Sequence, residues 1–561
     1  MNTRRVRYWL GWIAGLAFTA AGLLWWFWPR LAPPEPGSTL VLALHGDLPE
    51  RLAPTPLPDQ ASLLARWLRL PDGRVETPLS MLEIAQVLQA AARDPRIVRL
   101  RLEPAGLRAG WAKLEELRTW IAAFARSGKP VDCYLRAPGM KEYFVASAAR
   151  RIAIAPSGWL NLRGFRAEVI SFKGALDKLG VVAEIEAIGR YKDAGDSVTR
   201  ESMSPHTREV LDSFLDARLA SWTQAVAAGR RKTPAEVARV LDDGPFLAAR
   251  ARDLGLVDAL EFAPPTEQTT PAASYRWLLT PSGRTRVAVV IVDGDIGAAS
   301  SRELRASLAA VALDKTVRGV IVRVDSPGGE VAASDEMLDQ LVRLRQRLPV
   351  VFSFSDVAAS GGYALALTGD PIHASPGTVT GSIGVLFGKV DLSGLYAKLG
   401  VRKELLTRGQ QATIDSEVRP LGVEGRRRLR AALQTMYDGF VDQVARARHL
   451  DPARVAVLAE GRAWLGADAQ RHGLIDAVDG WDGALASLKR RIGLRATDEV
   501  DLALFPARDS WLDRAASGDV LPAVLGETLG PVVGGNRWLS GDGLGSSGAI
   551  LRRLFYQIAI E

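Results

Sequence analysis

Ser360 stands in the run Ala358-Ala359-Ser360-Gly361-Gly362-Tyr363, and Lys192 closes Gly189-Arg190-Tyr191-Lys192. A serine hydroxyl is a weak nucleophile until a base takes its proton, and a desolvated lysine can act as that base. Histidine offers little alternative. His45, His206, His373, His449 and His472 lack metal-ligand spacing, and none is convincingly placed for a histidine-based triad. A lysine working near neutrality must bring its pKa down by about 3 from a reference of about 10.4, roughly 4 kcal/mol, and burial must supply that. Lys192 sits at the end of the apolar segment Val181 to Ile188, which offers such surroundings. The chemistry in view is acyl transfer. Taken singly, Ser360 also reads as an ordinary helix N-cap and Lys192 as a surface lysine in a loop.

Two further features surround the serine. Asp325-Ser326-Pro327-Gly328-Gly329 follows an apolar run, and its glycines permit backbone conformations closed to other residues, so that N–H groups can approach a substrate. The Ser360 run precedes an apolar helical stretch, which puts the serine at a helix amino terminus, where free N–H groups favour a developing oxyanion.

The elements that must position these residues are written twice. About 220 positions before the second set, Asp94-Pro-Arg-Ile-Val answers Asp314-Lys-Thr-Val-Arg, and Glu103-Pro-Ala-Gly106 answers the glycine turn. Glu142-Tyr143 answers Gly362-Tyr363, Ala155-Pro156 answers Ser375-Pro376, and Asp177-Lys-Leu-Gly180 answers Ala397-Lys-Leu-Gly400. In this register Met140 falls opposite Ser360 and Ala412 opposite Lys192, so each copy lacks what the other has. Side-by-side packing of the copies would bring the two half-sites together.

Apolar runs bounded by glycine alternate with amphipathic stretches, which predicts an α/β fold. Strands are expected at Thr39 to Leu44, Val287 to Val292, Gly319 to Val324 and Val350 to Phe354, and helices at Leu304 to Leu313 and Met337 to Arg347. The division is residues 1–37 as cytoplasmic stub, membrane anchor and proline-rich spacer, 38–262 as first repeat, 263–284 as linker, 285–493 as second repeat and 494–561 as tail. Within the tail, Ile550 to Ile560 has the pattern of a short amphipathic helix.

Tyr8 to Trp28 is an almost unbroken apolar run, about long enough to cross a hydrocarbon core of roughly 30 Å. Arg4, Arg5 and Arg7 precede it, which places the amino terminus in the cytoplasm and the bulk of the chain outside. The alternative, a cleaved secretory signal, would have a shorter apolar core, and Trp25-Trp26-Phe27-Trp28 reads instead as an interfacial belt. The single cysteine, Cys133, excludes an intrachain disulfide and a cysteine zinc site. A net charge of +8 comes from basic residues dispersed among acids without an aromatic-interleaved stripe, which argues against nucleic acid.

Together, Asp325-Ser326-Pro327-Gly328-Gly329, Ala358-Ala359-Ser360-Gly361-Gly362-Tyr363, Thr380-Gly381-Ser382-Ile383-Gly384 and Gly189-Arg190-Tyr191-Lys192 resemble the long, tandem-repeat form of the signal peptide peptidase A family, over about Ser38 to Gly493 plus the anchor. The resemblance implies repeated ClpP/crotonase-like units, with Ser360 as nucleophile and Lys192 as general base. It implies that Ser382 orients the lysine, and that the N–H groups of Gly329 and Gly361 form the oxyanion hole. It further implies a homotetramer in a bacterial inner membrane with an extracytoplasmic catalytic domain, hydrophobic leader peptides as substrates, and no metal or organic cofactor. Ser355-Asp356 departs from the family's small, glycine-rich sequence and introduces a charge near the groove. Two other functions stay open: an acyl-CoA enzyme of the crotonase type, which leaves Lys192 unexplained, and a silent membrane-attached scaffold.

Overall fold

A computed structural model of the protein describes residues 33–52, 78–262, 268–279 and 285–505, and the backbone of 559–560. The expected anchor, Tyr8 to Trp28, lies outside the described residues. Among these no helix is long and apolar enough to cross a membrane.

The chain builds two large sheets from alternating strands and helices. The first has six parallel strands in the order Thr269–Pro271, Ser38–Gly46, Ile97–Leu107, Val131–Leu135, Arg151–Ile154, Ala259–Leu260. The second has seven: Ala463–Leu465, Val379–Gly381, Val350–Ala359, Val317–Ser326, Thr285–Asp293 and Val500–Phe505 in that order, with Ile372–His373 also beside Val350–Ala359. Ala463–Leu465 alone runs antiparallel to its neighbour in that sheet. Parallel strands buried on both faces need near-continuous apolar sequence, and Val287-Ala-Val-Val-Ile-Val292 supplies it. The helices expected around Leu304 and Met337 are Ala298–Leu313 and Val331–Arg345.

The two units repeat details as well as order. Tyr143 donates its hydroxyl proton to Leu256 O at 2.6 Å, and Tyr363 does the same to Leu474 O at 2.8 Å. Arg230 pairs with Asp258 as Arg448 pairs with Asp476, and each aspartate accepts from a strand N–H, Ile152 or Ile372.

Period-two alternation explains how the units dock. Ala288, Val290 and Val292 enter the second unit's own core, whereas Val287, Val289 and Ile291 point the other way into a core shared with the first unit. A second contact is an antiparallel ribbon in which Val182–Ile188 of the first unit pairs with Val385–Asp391 of the second, from Val385 opposite Ile188 to Asp391 opposite Val182. That ribbon ends next to Lys192.

Two edge strands come from segments that the sequence reading leaves outside the repeats. Val500–Phe505, beyond Gly493, becomes an edge strand on Thr285–Asp293, and Thr269–Pro271, within the linker region, becomes one on Ser38–Gly46. Both are short, and their strand form is completed by the exposed edge they join rather than by their own pattern. At the far terminus Ala559–Ile560 pairs antiparallel with Ala167–Glu168, so these two residues are strand where the amphipathic pattern predicts helix.

Candidate active site

Ser360 follows directly on the strand Val350–Ala359 and precedes the short helix Gly361–Ala364. Its backbone has φ 54° and ψ −121°, outside the regions that non-glycine residues ordinarily occupy, so the serine is held in a strained strand-to-helix turn. Two hydrogen bonds hold it there: Ser360 N–H donates to Gly381 O at 2.8 Å, and Ala364 N–H donates to Ser360 O at 3.0 Å. A four-residue helix contributes little macrodipole, which leaves individual N–H groups as the donors available beside the serine.

Two such N–H groups are those of Gly329 and Gly361. Among the described residues neither N–H donates to a protein acceptor. They lie close together: a Cβ added to Gly361 would sit 3.4 Å from Gly329 N. The turn requires glycine at two successive places, because Gly328 has φ +101° and a Cβ on Gly329 would fall 2.0 Å from Ile296 O.

Lys192 arrives from the other unit. Gly189, with φ +113°, lets the chain turn against Glu460 and Gly461 immediately after the ribbon, and Tyr191 N–H donates to Glu460 O at 2.8 Å. The amine reaches Ser360 Oγ at 3.0 Å, Ser382 O at 3.0 Å and Ser382 Oγ at 3.2 Å. A neutral amine has two N–H donors and one lone pair. Ser382 can take both donors, which leaves the lone pair facing the Ser360 hydroxyl. The amine end is buried although the residue as a whole is partly exposed, and this burial, opposed by Asp193, lowers its pKa to about 8. Asp193 is itself engaged by the Thr207 hydroxyl at 2.7 Å.

Beside this pair opens a cavity of about 570 Å³, whose apolar walls include Ile170, Phe172, Met203, Leu211, Phe214 and Val357. Asp356 lies beside it in sequence, yet its carboxylate is tied off. It accepts the N–H groups of Gly110 and Lys113 at 2.8 and 3.0 Å, capping the helix Trp111–Ala125 of the first unit, so the charge expected near the groove is spent between the units. Burial pushes its pKa up to about 6, with Lys113 opposing and Asp325 adding to the rise.

The first unit's corresponding place is closed. Met140 is buried, and the Glu142 carboxylate accepts Leu107 N–H at 2.7 Å and Gly139 N–H at 2.9 Å, filling the glycine turn from within. Sequence reasoning missed Gly461 and Lys113. A positive φ glycine after Glu460 carries no recognisable motif, and Lys113 looks like any helix lysine.

A strained serine beside a buried amine and two unengaged N–H groups is equipment for a serine hydrolase. The chain belongs to peptidase family S49, whose signature matches residues 123–268 and 343–495, one stretch in each unit, and it is a serine protease carrying a tandem duplication. Its relatives include "Serine protease SPPA, chloroplastic" of Arabidopsis thaliana, 30% identical over 92% of this chain and 76% of that protein. "Protease 4" of Salmonella typhi is 30% identical over 72% of this chain and 71% of that protein. "Putative signal peptide peptidase SppA" of Enterococcus faecium is 35% identical over 32% of this chain and 52% of that protein.

One expected outcome follows from the amine. If its neutral form is the base, peptide turnover rises through a single limb near pH 8 as pH increases, and Lys192→Met lacks that limb. A kcat/KM profile over pH 6 to about 9.5 checks it; a flat profile would remove Lys192 from the chemistry.

Proposed function

We propose that the protein is a membrane-anchored endopeptidase that degrades cleaved signal peptides and other hydrophobic peptides through a Ser360–Lys192 dyad. The observation that carries this reading is the 3.0 Å approach of the two side chains at the edge of an apolar cavity. The Lys192 lone pair accepts the Ser360 proton as Oγ attacks the peptide carbonyl. The tetrahedral oxyanion is held by Gly329 and Gly361 N–H, and Ser382 keeps the amine aimed. Protonated Lys192 then returns the proton to the departing amine. Water, activated by the same lysine, attacks the acyl-enzyme and frees Ser360.

The cavity walls match aliphatic and small aromatic side chains, the chemistry of leader peptides, and the Enterococcus faecium relative, named as a signal peptide peptidase, supports the same reading. The anchor at Tyr8 to Trp28, with its amino-terminal arginines, would hold the site at an extracytoplasmic membrane face where such peptides remain after secretion. Exposed Leu399, Val401 and Leu406 support the assembly of several copies, a homotetramer in this reading.

The test uses the full chain in detergent, offered a leader-type peptide and a polar peptide of equal length. The leader peptide is expected to be cleaved at least about 10-fold faster in kcat/KM, since each buried methylene or larger apolar contact contributes about 1–3 kcal/mol. Equal rates would leave the protease but end the substrate class, and light scattering of the same sample at one chain's mass would end the assembly.

A further inference from the structure

The strands Val317–Ser326 and Val350–Ala359 both lead into the site, the first into the Gly328-Gly329 turn and the second into Ser360. Their ladder is interrupted just before they arrive. Val324 pairs with Phe354 and Ser326 with Ala358, so two residues of one strand advance against four of the other, and a bulge of Ser355, Asp356 and Val357 intervenes. The bulge leaves a gap in the sheet hydrogen bonding, and beyond it the single pair Ser326–Ala358 ties the approach to the glycine turn to the approach to the serine.

Side chains close it. The Asp325 carboxylate accepts Val357 N–H through Oδ1 at 3.1 Å, replacing a missing ladder bond across the bulge. Its Oδ2 accepts Lys113 Nζ at 2.7 Å, and the same ammonium stands 3.7 Å from Asp356 Oδ2 on the bulge itself. Lys113 comes from the first unit and is buried. Asp356 in turn caps Lys113's own helix, so helix, bulge and glycine turn form one closed ring of contacts. Burial opposes the lysine's charge, but Glu50, Asp325 and Asp356 outweigh it and raise its pKa above the ordinary value, so the ammonium stays charged.

We propose that Lys113 is a positioning residue for the oxyanion hole: by bridging Asp325 and Asp356 across the bulge, it sets the distance between Gly329 N–H and Ser360. The first unit thus contributes two lysines to one site, Lys192 to the reaction and Lys113 to its geometry. The proposal rests on Ser360 being the nucleophile. Full loss of one oxyanion donor lowers kcat by about 10²–10³, so a displaced donor is expected to lower it by about 10- to 100-fold.

The test compares wild type with Lys113→Met and Asp325→Asn in the full chain. The readouts are kcat and KM on one peptide, and the affinities of a peptide boronate, which forms a tetrahedral adduct on serine, and of its non-covalent amide counterpart. Asp325→Asn keeps an acceptor for Val357 N–H while removing the charge pair, and so stands in should Lys113→Met fail to fold. The expected result is a kcat loss of about 10- to 100-fold with KM within about twofold. Boronate affinity should fall in step with kcat, and amide affinity should hold. A folded variant with unchanged kcat, or with amide and boronate affinities falling together, overturns the proposal. A wild-type boronate adduct on a residue other than Ser360 overturns both the proposal and the site it rests on.

Discussion

Replacement of Ser360 by alanine is expected to lower peptide turnover by about 10⁴-fold or more, and Lys192→Met to do the same, because members of one nucleophile–base unit fail together. The two variants should differ in stability. Lys192 has a pKa near 8 in the folded protein, below its ordinary value of 10.5, so between those values the unfolded chain binds the proton that the folded chain has released. Stability therefore rises with pH across that window, and below pH 8 the buried amine costs about 3 kcal/mol. Lys192→Met removes this cost. At pH 7 it should be inactive yet more resistant to urea than wild type, whereas Ser360→Ala stays near wild type. Denaturation midpoints at pH 7 and pH 10 check this, the gap between Lys192→Met and wild type narrowing at the higher pH. A Lys192→Met variant less stable than wild type at pH 7 would contradict the buried, proton-poor amine.

A second large effect is expected at the joint between the units. Arg323 projects from Val317–Ser326 toward the first unit and forks onto two carboxylates, Glu50 at 3.0 and 3.1 Å and Glu116 at 2.7 and 2.9 Å, and donates also to Ser353 Oγ, Ser355 Oγ and Phe354 O. All three charged groups are buried. A buried ion cluster adds little over well-packed apolar residues, but breaking one strands charge in a dry interior and costs about 3–5 kcal/mol. Arg323→Met strands Glu116 and leaves Glu50 to Lys113, 3.9 Å away, and should lower the urea midpoint by about that equivalent. The triple variant Arg323→Met, Glu50→Gln, Glu116→Gln should recover most of the loss. Should the single variant match wild type, the cluster would not hold the units together.

Much of this arrangement is legible in the sequence. The 220-position register marked a duplication, and the complementary gaps at Met140 and Ala412 indicated which copy supplies which group. The strands around Val287, Gly319 and Val350 were legible because buried parallel strands leave long apolar runs. What stayed hidden depends on contacts between distant segments. Asp356 reads as a charge near the groove until the helix it caps is placed beside it. Lys113 and Gly461 carry no local signal. Val500–Phe505 becomes a strand only because Thr285–Asp293 offers it an edge.

In the proposed mechanism an uncharged Lys192 amine, delivered by one repeat, activates Ser360 of the other. Mass-spectrometric mapping of a fluorophosphonate adduct, with its rate of formation followed against pH, tests this most directly. One adduct is expected, on Ser360, forming faster as pH rises through about 8 and not forming at a measurable rate in Lys192→Met. An adduct on another serine, or wild-type labelling rates in Lys192→Met, would contradict it.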